Sequence, residues 1–166
     1  MITRTGMLVL AGLAALASTA ASAADRSAEV ERGRYLVTIG GCNDCHTPGG
    51  MEQGPAVPEK DWLTGVPVGY QGPWGTSYAA NLRLVINSMS EAEWLTHARQ
   101  QRLPPMPWYN LKVMTDDDLK AVYAFVRSLG SAGVAAPAYV APGGTVTTPY
   151  FVFVPRVDQK QAAATR

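Results

Sequence analysis

Residues 42–46 read Cys42-Asn43-Asp44-Cys45-His46, and they contain both cysteines of the 166-residue chain and one of its two histidines. Two thiols at positions i and i+3 can reach two vinyl groups on one edge of a porphyrin and form thioethers. The imidazole that follows directly is then placed beneath the ring, where it can ligate iron. This C-x-x-C-H spacing reads as covalent attachment of one c-type haem. Three other chemistries compete for the same residues. A thioredoxin-like dithiol would open a helix after a strand, and no strand pattern precedes Cys42. A structural zinc site needs about four ligands, which Cys42, Cys45, His46 and His97 could supply. A disulfide between Cys42 and Cys45 would close a very small loop and constrain little of the chain.

Upstream of the motif, Ser27–Ile39 has a helical period, with Val30, Gly33 and Val37 on one stripe and Leu36 beside it. Glycine inside a helix costs about 0.5–1 kcal/mol relative to alanine, so Gly33 on the apolar stripe points to a second helix approaching closely. Asp116–Leu129 is the natural partner. Thr115 can cap it, Asp116, Asp117 and Asp118 sit at its positive end, and Leu119, Val122, Tyr123 and Val126 form one apolar face. Arg127 and Gly130 supply its stop. A third helix is expected over Ser90–Gln101, opened by the capping box Ser90-Glu91-Ala92-Glu93. Residues 47–81 are rich in glycine and proline and keep no period. An ordered loop of that length usually covers or builds a site. Residues 104–114, with three prolines, also read as loop. From Ser131 the composition shifts to Ala, Pro, Gly and Thr. Tyr150–Val154, fenced by Pro149 and Pro155, is expected as an extended strap or an edge strand, and Asp158–Arg166 as a disordered end.

The first 24 residues carry one charge, Arg4, followed by the apolar run Met7–Ala17 and the small residues Ala21-Ser22-Ala23. Charged start, apolar middle and small-residue exit make a secretory signal cleaved after Ala23. The run is short for the ~20 residues of a membrane span, although the weakly apolar stretch to Ala24 leaves a retained anchor open. The domain division is therefore a signal at 1–23, a core domain at 24–130 and an extension at 131–166. The chain carries 14 basic and 13 acidic residues, so removing Arg4 leaves a formally neutral exported protein. Such a balance offers nothing to phosphate and excludes nucleic acid as an electrostatic partner. At 16% charged and 47% hydrophobic the chain is also unlike a highly charged disordered protein. No nucleophile constellation, general base or nucleotide loop suggests an enzyme.

Taken together, Gly33-Arg34-Tyr35-Leu36, Cys42–His46, Leu103-Pro104-Pro105-Met106-Pro107-Trp108 and Met114–Leu119 through Tyr123–Leu129 resemble monohaem c-type cytochromes with histidine and methionine on the iron. The resemblance covers Ser27–Gly130. It implies an all-α, class I cytochrome c-like fold of three or more helices around a covalent haem, with long Gly/Pro-rich loops and an extended tail. Gly72–Asn81 is similar to a stretch in cytochrome subunits of periplasmic quinoprotein alcohol dehydrogenases. Those subunits usually carry several haem motifs, and this chain carries one.

For a second axial ligand the candidates are Met51, Met89, Met106, Met114 and His97. Met51 is five residues from His46, too near to cross easily to the opposite haem face. Met89 lies just before a helix cap. Met114 precedes the Thr115 cap, where it can staple onto Leu119. Met106 sits between Pro105 and Pro107, which restrict the loop and lower the entropic cost of holding a thioether toward iron. The resemblance points to Met106 as well. His97 is the runner-up, and paired histidines would give a lower potential. The His46 imidazole should donate its free N–H to a carbonyl, for which Pro55 resembles the family residue and Pro48 is an alternative. Trp74, Tyr78, Asn81 and Arg83 are candidate partners for the haem propionates, and Trp62 and Trp108 candidate walls.

These readings lead to a periplasmic electron-transfer protein with Cys42, Cys45, His46 and Met106 at the haem. Its partners would be redox proteins, a donor dehydrogenase and an acceptor oxidase or cytochrome. Between Gly40 and Lys112 five basic residues are interspersed with six acidic ones, so strong electrostatic steering is not expected. Two other classes remain open: a fixed subunit of a periplasmic dehydrogenase complex, and a haem sensor or peroxidase-like protein with an open iron position.

Overall fold

The computed structural model describes residues 24–155. The expected signal at 1–23 and the expected disordered end lie outside the described residues. Helix α1 occupies residues 24–39 and is followed by α2 (Cys42–His46), α3 (Gly50–Gln53) and two 3-10 turns at Gly54–Ala56 and Glu59–Asp61. A hairpin of β1 (Gly69–Gly72) and β2 (Gly75–Tyr78) leads into α4 (Leu82–Asn87), α5 (Glu91–Ala98), α6 (Trp108–Val113) and α7 (Asp116–Leu129). A last short strand, β3 (Tyr150–Val152), lies in the extension.

Helix α7 is the centre of the core. Its Leu119, Val122, Phe125 and Val126 are buried with Leu36 and Val37 of α1, Leu63, Ile86 of α4 and Trp94 of α5. The indole N–H of Trp94 donates to the Leu119 carbonyl at 2.8 Å and ties α5 to α7. The Thr115 hydroxyl accepts from the Asp118 amide at 3.1 Å, as expected of the cap. The α1 crossing is closer than side chains allow. A Cβ built on Gly33 would stand 1.9 Å from the Ala121 carbonyl oxygen and 2.7 Å from Phe125 Cβ. Glycine at position 33 is therefore what lets α1 rest its backbone on α7.

The helical part of the fold agrees with the sequence reading, with instructive differences. Helix α5 stops at Ala98 rather than Gln101. Arg99 Nη1 takes the Leu95 carbonyl at 3.2 Å and Arg102 Nη2 takes that of His97 at 2.8 Å, so side chains satisfy the last turn. Residues 104–114 are loop only to Pro107, after which Trp108–Val113 is helical with Pro107 at its N-cap. The fold is also not purely α. A small sheet of order β2-β1-β3 is added, with β1 antiparallel to β2 and parallel to β3. Strands β1 and β2 were hidden in the loop at 47–81 because each is four residues long and begins with glycine, too short to show a period. The extension does supply the expected edge strand, with Tyr70 paired opposite Phe151.

Two outcomes test this packing. Gly33→Ala should destabilise the protein by about 1–3 kcal/mol through overpacking, read as a lower denaturant midpoint; an unchanged midpoint would contradict the crossing. A hydrogen bond from the Arg32 guanidinium, at 2.8 Å, holds the Asp118 carboxyl below its ordinary range. A depressed carboxyl stabilises the fold above its unfolded pKa, and that contribution is lost as pH falls through and below about 4. Asp118→Asn should flatten the acid limb of the stability curve, and an unaltered limb would exclude the pair as a contributor.

Candidate haem site

Helix α2 carries Cys42, Cys45 and His46 within five residues, so the positions of two thiols and an imidazole follow from the placing of one short element. Its C-terminal end is pinned from the side. The Leu63 amide donates to Thr47 Oγ1 at 2.8 Å, that hydroxyl donates to Asn43 Oδ1 at 2.7 Å, and the Gly65 amide donates to the His46 carbonyl at 2.7 Å. Leu63 adopts φ 61° to make this turn, a left-handed conformation that costs a leucine about 1–2 kcal/mol. Its side chain is fully buried in the core, which offsets that cost.

His46 is buried, and its Nδ1 lies 2.7 Å from the Ala80 carbonyl oxygen. A carbonyl only accepts, so Nδ1 carries the hydrogen and Nε2 presents a lone pair. Burial lowers the imidazole pKa, opposed by the bond to Ala80. The neutral, ligating form is favoured. The carbonyl partner is thus Ala80, and neither Pro55 nor Pro48. The chain after the motif coils into α3 and the 3-10 turns, while the segment leaving the hairpin after Tyr78 passes beside the imidazole.

Both cysteines are free thiols. Burial pushes the Cys42 thiol up to about 11, so it stays protonated at neutral pH. Near Cys45 stands Tyr70, which the sequence did not single out. Its phenol is pushed up by burial foremost and then by the neighbouring Cys45 thiol. Tyr70 is buried between the haem motif and the extension, stacked on Phe151 with ring centroids 6.0 Å apart.

The methionines separate by environment. Met89 and Met114 pack against the core and Met51 is exposed. Met106 is half-buried in a loop clear of that core cluster. The loop is held in place: the Ser77 hydroxyl donates to the Pro104 carbonyl at 2.7 Å, and the Trp108 amide to the Met106 carbonyl at 2.9 Å. The hairpin and its exit therefore reach three points of the candidate site: Tyr70 stands near Cys45, Ser77 bonds Pro104 in the Met106 loop, and Ala80 bonds His46.

Other candidates have structural occupations. His97 lies on α5, half-buried beside the Trp94 ring at 6.2 Å, and burial lowers its pKa. Among the described residues no three His, Cys, Asp or Glu side chains come together as a metal site, which removes the four-ligand zinc arrangement. The expected propionate partners already have protein acceptors. Arg83 is buried and caps the end of α7, with Nε on the Gly130 carbonyl at 2.6 Å, Nη1 on that of Lys60 at 2.7 Å and Nη2 on that of Leu129. The Trp74 indole N–H donates to the Tyr70 carbonyl at 3.2 Å, and the Tyr78 hydroxyl pairs with that of Thr148 at 2.7 Å. Asn81 caps α4 and bonds the extension. Trp62 packs edge-on to Phe125 and donates to the Val57 carbonyl at 2.9 Å.

A neutral imidazole with its lone pair free, two unpaired thiols at i and i+3, and a restrained thioether off the core are a donor set that fits a c-type haem. The family model for cytochrome c matches residues 30–130. This chain belongs to the cytochrome c family. Comparison with curated proteins and with solved structures finds no match. The match to cytochrome c ends at Gly130, directly after α7, so the extension that supplies β3 lies beyond the family's common part. Membership of the cytochrome c family implies a covalently bound haem and a role in electron transfer.

Arg83→Leu strips a charged donor from three carbonyls and should cost about 2–4 kcal/mol of stability while leaving the visible spectrum of the haem protein unchanged. A spectral change at preserved fold would return Arg83 to the haem.

Proposed function

We propose that this cytochrome is an exported, periplasmic one-electron carrier holding a single haem c. Cys42 and Cys45 would form its thioethers, and His46 Nε2 and Met106 Sδ its two axial bonds. The observation that carries the reading is the fixed His46 ring, its Nδ1 on Ala80 and its Nε2 free, with the Met106 loop fastened to the same hairpin through Ser77 and Pro104. When bound, the haem iron supplies the one-electron couple. The protein's part is to hold that couple still. His46 and Met106 stand on restrained backbone, so little rearrangement accompanies a change of charge. Thioether ligation and burial both favour the reduced, less charged site and raise its potential. No side chain at the site is arranged to move a proton or attack a substrate, in keeping with the electron-carrier character typical of the family.

Export rests on the leader pattern at 1–23 and on the use of both cysteines in the motif. None of the helices among the described residues is long and apolar enough to cross a membrane. The partners would be a donor dehydrogenase and an acceptor oxidase or cytochrome, met through a small interface at low charge. A fixed place in a dehydrogenase complex is favoured by one observation. Tyr150, Phe151, Val152, Phe153 and Val154 are all exposed on the sheet's outer strand and the two residues that follow it, more apolar surface than a free shuttle needs. Co-purification with a catalytic subunit would decide for that arrangement.

Met106→Ala should abolish the thioether-to-iron charge-transfer band of the ferric protein and let the ferrous protein bind carbon monoxide promptly. A surviving band, or prompt binding already in the wild type, would exclude Met106 as ligand.

A further inference from the structure

The Ala80 carbonyl that receives the His46 N–H is followed by Asn81, which is 2% exposed and uses its whole carboxamide. Oδ1 accepts from the Leu84 amide at 3.0 Å and caps α4. Nδ2 donates to the carbonyls of Ala132 at 2.8 Å and Val134 at 3.1 Å, both in the extension. The extension is in turn zipped onto the hairpin that leads to Ala80. Thr76 and Val140 exchange two backbone hydrogen bonds at 2.8 and 3.0 Å, the Pro149 carbonyl accepts from the Gly69 amide at 2.8 Å, and the Phe153 amide donates to the Gln71 carbonyl at 2.7 Å. Gly133 lies between the two carbonyls, at φ 72°, where an added Cβ would stand 3.1 Å from Asn81 Nδ2. The segment beyond the family's common part thus grips the residue next to the acceptor of the axial imidazole.

We propose that Asn81 is a positioning residue through which the 131–155 extension sets the His46–Ala80 hydrogen bond, and with it the donor strength of the imidazole and the potential of the site. This rests on His46 being an axial ligand, as read above. A firm Nδ1–H···O=C bond gives the imidazole more anionic character and strengthens its bond to the oxidised metal. Loosening the Ala80 peptide weakens that character, so the potential rises. A role confined to stability would leave the potential unmoved.

The test uses the full-length, haem-loaded protein and compares Asn81→Ser, Gly133→Ala and the remote cap variant Thr115→Ala. Serine keeps an oxygen for the Leu84 amide but cannot bridge both extension carbonyls. Gly133→Ala disturbs the grip from the extension side, its Cβ meeting Asn81 Nδ2 at 3.1 Å and Thr64 Cβ at 3.3 Å, and keeps the test available should Asn81→Ser fail to fold. The readouts are the midpoint potential and the exchange rate of the His46 Nδ1 proton in the ferrous protein by NMR. Both site variants should show an upward shift of potential and about ten-fold faster exchange, with Thr115→Ala lowering only the melting temperature. Unmoved potential and exchange in the site variants would overturn the proposal, as would an effect of Asn81→Ser that Gly133→Ala does not share. A wild-type His46 signal without a haem ring-current shift would instead overturn the axial assignment on which the proposal stands.

Discussion

The hydrogen bond from His46 Nδ1 to the Ala80 carbonyl, 2.7 Å long and part-buried, is the constraint from which the site takes its form. It fixes the tautomer, aims the opposite nitrogen, and joins the haem motif to a hairpin far along the chain. The same hairpin holds Tyr70 beside Cys45 and, through Ser77, the Met106 loop. Two sequence-distant segments, the motif and the Met106 loop, are thereby set by one small element. The helical core serves to present it: α1 delivers the motif, and Gly33 lets α1 lie directly on α7.

The energetic roles divide along this line. Helix α7 and its neighbours provide apolar burial, with Trp94 and Arg83 spending their polar groups on helix carbonyls. Around the motif the interactions are mostly single hydrogen bonds to backbone, each individually worth about 0.5–1.5 kcal/mol. Their value is positional. In the proposed site a thiol pair, an imidazole and a thioether would converge, and a small displacement of any of them would matter more than the free energy of its tether.

Much of this was legible in the sequence. Cys42–His46, the Gly33 crossing and the whole of α7 with its Thr115 cap depend on local spacing, which a sequence displays. The strap at Tyr150–Val154 was readable from its fencing prolines, though the parallel pairing of its first three residues with β1 was not. The short hairpin at 69–78 and the helix Trp108–Val113 are local elements too brief to show a period, and the remaining misses are long-range. Nothing near His46 indicates that Ala80 would be its acceptor, because that pairing is created by the hairpin's return. Asn81 and Arg83 look like free polar donors, yet the helix end at Leu129 and the extension at Ala132 and Val134 claim them. Tyr70 lay in glycine-rich sequence with no period to mark it. For His46, Asn81 and Arg83 the deciding partner is more than thirty residues away.

The central claim is that one haem is bonded to the chain through Cys42 and Cys45. Intact-mass spectrometry of protein from a host competent in haem attachment, repeated on Cys42→Ala/Cys45→Ala, tests it most directly. The account predicts that the wild type is heavier than its polypeptide by one haem and keeps that mass after acid denaturation, while the double variant does not. Colourless wild-type protein at the bare polypeptide mass would contradict it.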